Sequence, residues 1–161
     1  MLNYRMKIID IIKEEVENWF PSRPTISMVY EDDYKGEHSA PTTEDTPMYK
    51  ADEVFGEEIY TQKAFDHFGR YSPYAKKSIL IIQNVRNKPN APVKIYRAVP
   101  ENVMSINNGD WVTINKDYAE HHGKTHLKNE YKILTKTTTA KNLFTDGNDV
   151  SEWGYVETSF E

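Results

Sequence analysis

The stretch "KIYRAVPENVMSINNGDWVTINKDYAEHHG", residues 94–123, decides how this chain folds. Its opening is a strand: with Val93 just before it, Val93 and Ile95 fall on one face, and the next position of that face is Arg97. A guanidinium on an apolar strand face is costly unless it is paired or looks into a cleft. Two readings follow. Arg97 is one half of a buried ion pair, or its planar fork clamps the oxygens of an anion such as phosphate. Further along, Asn108-Gly109-Asp110 forms a tight turn into a second strand. Alternation puts Trp111, Thr113 and Asn115 on one face of that strand, and Val112 and Ile114 on the other. "KDYAEHHG" then reads as a short helix closed by Gly123.

Downstream the runs stay short, β-branched and aromatic: "YKILTKTTT" and "EWGYVETSF" predict two more strands, separated by the turn-rich "FTDGND". Upstream the pattern is helical. Ile8, Ile9, Ile12, Val16, Trp19 and Phe20 predict an amphipathic helix over about residues 3–20, ended by Pro21 and Pro24. "TISMVY" at 25–30 predicts a short strand, and "EDDYKGEHSAPTTEDTP" an irregular connection. One or two short helices are expected over 51–69, with Gly69 as terminator, and another ending before Lys88-Pro89. The order predicts an α+β fold without a 20–50-residue repeat, and 161 residues suit one domain.

The composition narrows the function classes. With no cysteine there is no disulfide, thiolate metal site or cysteine nucleophile, and the cytoplasm is the expected compartment. The N-terminal apolar positions are broken by Lys and Glu, unlike a signal peptide or a membrane span. Net charge is −5, and residues 31–58 carry ten acidic against two basic side chains, leaving the remainder at +3. Such a block predicts a solvated, mobile loop, or else an acidic surface for a basic partner. Without a basic stripe, nucleic acid is not an expected ligand except as a modified substrate.

Two further groups are candidates for chemistry. His121 and His122 point about 100° apart on a helix, so they do not form the i, i+4 pair of a zinc site. His38, His67 and His126 do not supply ligand spacing either, and no metal is expected. Glu152 lies where the loop Thr145–Ser151 enters the last strand, a junction that positions a carboxylate. A positioned Glu can hydrogen-bond a sugar hydroxyl and offset positive charge developing at an anomeric carbon.

Taken in order, "IYRAVP", "GDWVTINKDYA", "NLFTDGND" and "EWGY" resemble the ADP-ribosyltransferase-like domains of bacteriophage proteins and large polyvalent proteins, within the Arg, Ser/Thr and Glu group of that superfamily. The resemblance is strong over residues 89–155, weaker over "TPMYKA" and "EEIYTQ", and does not extend to residues 1–46. It implies a split β-sandwich whose two small sheets hold NAD as cosubstrate. Residues 47–161 form the family-like part, behind an N-terminal helix and acidic loop. It further implies that Tyr96-Arg97-Ala98 is the first motif, with Arg97 on the NAD phosphate and ribose, and that Trp111-Val112-Thr113 is the second. Asn115 stands where a second Ser often lies, and Tyr118 lies on the following helix. On this reading Trp111 or Tyr118 packs on the nicotinamide, Thr113 fixes the catalytic carboxylate, and Glu152 is that carboxylate. Glu157, placed by its position on the last strand, is the second candidate. Val150 stands where many protein-modifying members carry Gln or Glu, which counts against arginine as the acceptor.

The implied activity is transfer of ADP-ribose from NAD to a host macromolecule, a protein by preference, as a phage anti-defence effector. Two other functions compete with it. One is a non-catalytic phage inhibitor that binds a host defence protein through its acidic surface, and the other is a small ribonuclease using His121 or His122.

Overall fold

The quoted stretch lies at the centre of the sheet. The computed structural model describes residues 39–70 and 72–158. The helix expected at 3–20, the strand at 25–30 and the connection over 31–38 lie outside the described residues. Ala40–Glu161 is a compact unit.

Its elements are β1 (Thr46–Pro47), α1 (Asp52–Phe55), α2 (Lys63–His67), α3 (Ala75–Asn84), β2 (Pro92–Val99), β3 (Asp110–Thr113), α4 (Lys116–His126), β4 (Lys132–Thr139), β5 (Leu143–Thr145) and β6 (Glu152–Tyr155), with 3-10 turns at Met48–Lys50, Glu57–Tyr60 and Ala140–Asn142. Among the described residues six strands form one antiparallel sheet in the order β1-β5-β6-β3-β2-β4, an α+β arrangement.

Pairing along this sheet is uneven. β2 and β4 are joined by eight registered pairs, from Pro92↔Thr139 to Val99↔Lys132. β2 and β3 are joined by one, Tyr96↔Thr113. The strands thus make a single sheet that narrows at this junction, where two separate sheets were expected.

Register fixes the faces, because partners across an antiparallel pair point to the same side. One face carries Val93, Ile95, Val99, Val112, Trp153 and Tyr155, all buried. All of these but Val99 join Met48, Ala51, Ile59, Ala64, Ile79 and Ile82 of the helical segment in one apolar core. Phe55 is the bridge: its ring meets Phe68 edge-on at 5.6 Å and Trp153 at 6.5 Å. The opposite face carries Tyr96, Ala98, Trp111, Thr113, Glu152 and Gly154, and α4 lies against β2, β3 and β4.

Several expectations need correction. Gly123 does not end its helix, which continues to His126. It is a glycine because a Cβ there would meet the Tyr131 ring at 2.4 Å; the chain turns instead at Lys128 and Asn129, which have positive φ. Residues 46–58 are not a loose acidic loop but a short strand and helical turns. There Glu53, Glu57 and Glu58 pair with Lys50, Arg86 and His67 at 3.2, 2.8 and 3.7 Å. Two strands, β1 and β5, fall where loop was expected. Finally, β6 ends at Tyr155, so Glu157 is not on the last strand.

Candidate active site

The start of β6 is anchored from both sides. Trp153 Nε1 donates to the Val150 carbonyl at 3.0 Å, and the Ser151 amide donates to Asp149 Oδ1 at 2.7 Å. The buried hydroxyls of Ser78 on α3 and Ser151 lie 2.8 Å apart. A carboxylate on the next residue inherits that rigidity. Glu152 is that residue, with its Cα opposite Thr113, which is in turn opposite Tyr96. Tyr96, Thr113 and Glu152 therefore form a row across three strands on one face.

Over this row stands α4. Asn115 caps the helix, its Oδ1 accepting the Asp117 amide at 3.0 Å, and its Nδ2 donates to the Tyr74 carbonyl at 3.0 Å. Tyr74 meets the Tyr118 ring edge-on at 5.6 Å and 90°. Tyr118 reaches down to the sheet and donates its hydroxyl to Glu152 Oε1 at 2.5 Å. Burial, then the hydrogen bond to Glu152, then the charges of Glu152 and Asp149 push the Tyr118 phenol well above its usual range. It therefore stays protonated and remains a donor to the carboxylate.

The predicted residues divide accordingly. Tyr96, Ala98, Trp111, Thr113, Tyr118 and Glu152 come together. Thr113 does not hold the carboxylate: its Oγ1 accepts the Asn115 amide at 3.1 Å, and Tyr118 holds Glu152 instead. Asn115 is 3% exposed and committed to the cap and to Tyr74. Arg97 points to the other face, one residue out of phase with Tyr96, and pairs there with Asp110. The side chains are 32% and 18% exposed, so this is a half-buried ion pair tying β2 to β3 where the backbone supplies one registered pair. Glu157 lies off the strand: it accepts a hydrogen bond from the Tyr155 hydroxyl at 3.0 Å and lies 3.5 Å from Lys136 Nζ.

Sequence reasoning missed Tyr74, Ser78 and Ser151, which carry no motif and act through contacts made far along the chain. Among the described residues no group of three or more His, Cys, Asp or Glu side chains could hold a metal ion, and no helix is long and apolar enough to cross a membrane. No protein-family model, curated protein or solved structure matches the chain.

Proposed function

We propose that this chain is a mono-ADP-ribosyltransferase that uses NAD⁺ as cosubstrate and modifies a host macromolecule, with Glu152 as its catalytic carboxylate. The observation that carries the reading is the Tyr118–Glu152 hydrogen bond: one carboxylate oxygen is fixed on a rigid strand start, and the other is left to act. Glu152 accepts a hydrogen bond from the 2′-hydroxyl of the nicotinamide ribose. It offsets the positive charge that grows at the anomeric carbon as nicotinamide departs. Tyr96, Ala98 and Trp111 share the face of Glu152, and the two aromatic rings offer walls for a flat base. Arg97 acts at one remove in this scheme, as a positioning residue that closes the β2–β3 junction through Asp110.

The test is transfer of label from adenine-labelled NAD⁺ to components of a bacterial lysate, wild type against Glu152→Gln. The expected result is transfer by the wild type and a fall of about 10²–10³-fold in the variant, the usual consequence of losing one electrostatic stabiliser. No transfer by the wild type, together with no thermal stabilisation by NAD⁺, would overturn the proposal.

A further inference from the structure

The transfer reaction leaves one proton unassigned. When a nucleophile bearing hydrogen attacks the anomeric carbon, the new bond forms as the bond to nicotinamide breaks. The bond pair leaves with the neutral nicotinamide ring, and the nucleophile's proton must go to a base. Glu152 has one oxygen occupied by Tyr118 and the other assigned to the ribose. One turn along α4 from Tyr118, at i+4 and so on the same side of the helix, is His122. We propose that His122 is the general base of this site and that the acceptor it serves is a neutral hydroxyl group.

His122 is exposed and therefore open to an incoming substrate. One side of its imidazole is covered by His126, stacked at 4.3 Å and 21°. The preceding residue, His121, lies against Tyr74, 5.6 Å between ring centres. The charged and titratable groups that act on it are His126 and His121 on its own helix and Glu152 on β6; Tyr74, just before α3, packs on Tyr118 and His121. Partial burial of the ring, then the neighbouring His126 and His121, hold its pKa below the usual 6.5, while Glu152 pulls the other way. The imidazole is thus neutral at pH 7, the form that can accept a proton.

The acceptor class follows from base strength. A hydroxyl already carries a free lone pair and becomes acidic only as the new C–O bond forms, so a weak base suffices. A guanidinium must lose its proton, with a pKa above about 12, before it can attack, and this imidazole is far too weak for that. A carboxylate acceptor would need no base at all. Water is the smallest hydroxyl acceptor, so NAD⁺ hydrolysis by the purified full chain reports on the same step.

This inference rests on the proposed transferase activity, and the experiment separates their failures. NAD⁺ hydrolysis is measured from pH 5 to 8 for wild type, His122→Gln and Glu152→Gln, with NAD⁺ binding followed by thermal shift. The wild-type rate is expected to rise with pH through a value below 6.5 and level off by pH 7. His122→Gln should bind NAD⁺ unchanged, lose about 10²-fold in rate and lose the rising limb. In lysate, the transferred label should resist neutral hydroxylamine, which releases ADP-ribose from carboxylate esters. A wild-type rate that is flat over this range overturns the proposal without recourse to a variant. So does a His122→Gln profile identical to wild type while Glu152→Gln is inactive. If no form hydrolyses or binds NAD⁺, the transferase reading falls and this inference falls with it.

Discussion

The two sides of β6 differ in kind. One bears Trp153 and Tyr155, at 0% and 1% exposure, sealed against the helical segment. The other bears Glu152 and Gly154, beneath α4 and the chain at Pro41. A four-residue strand thus separates a core from a site, and every side chain belongs to one or the other by parity alone. The lesson concerns Arg97. Adjacent residues of a strand never share a face, so a motif in which Tyr96 faces the carboxylate puts Arg97 among apolar neighbours, where it needs Asp110.

The largest test of that division is steric. A Cβ at Gly154 would meet the Pro41 carbonyl oxygen at 1.8 Å, with backbone and not a flexible tip in the way. Gly154→Ala should cost about 3 kcal/mol and lower Tm by about 10 °C, measured by calorimetry; an unchanged Tm would mean that Pro41 does not close the site face.

Next in size is the ion pair. Arg97→Ala should cost about 1–3 kcal/mol, between the values for surface and buried pairs, and leave NAD⁺ binding unchanged. In a double-mutant cycle with Asp110→Ala the combined loss should be smaller than the sum of the single losses. Unchanged stability with abolished NAD⁺ binding would break the comparison, for Arg97 would then face the ligand.

The smallest effect is expected at Tyr118. Tyr118→Phe should lower the rate of NAD⁺ turnover about tenfold with KM unchanged, as expected for a lost hydrogen bond to a charged group. Its raised pKa also gives a signed pH dependence. The stability it contributes is complete below the unfolded value near 10 and is lost as pH rises through the higher folded value. Thermal melts between pH 9 and 12 should show that decline in the wild type and less of it in Tyr118→Phe.

Much of this was legible in the chain. Alternation delivered β2, β3, β4 and β6, and the position of Arg97 among the apolar residues of β2, because period-2 burial is a local property. β5 escaped notice because all three of its residues, Leu143, Phe144 and Thr145, are buried, which erases alternation. β1 has two residues and no period to read. Gly123 looked like a stop signal because glycine has two uses, positive φ and close approach, and only the position of Tyr131 shows which applies. At the site, Glu152 and Tyr118 were visible as chemistry, but their contact was not: it spans 34 positions in sequence and depends on how α4 lies over the sheet. Likewise, no local pattern says that Arg97 meets Asp110, because the register across the loop between β2 and β3 decides it.

The single registered pair between β2 and β3 has a mechanical consequence. The β2–β4 ribbon, stitched along its whole length, and the four-stranded remainder are like two plates that the backbone ladder rivets at one pair, with α4 lying against both. Torque applied across them concentrates in the backbone at Tyr96 and Thr113, with the ion pair from Arg97 to Asp110 as a stay. Since Glu152 is in line with that rivet, twist between the plates bears on the strand that carries the carboxylate.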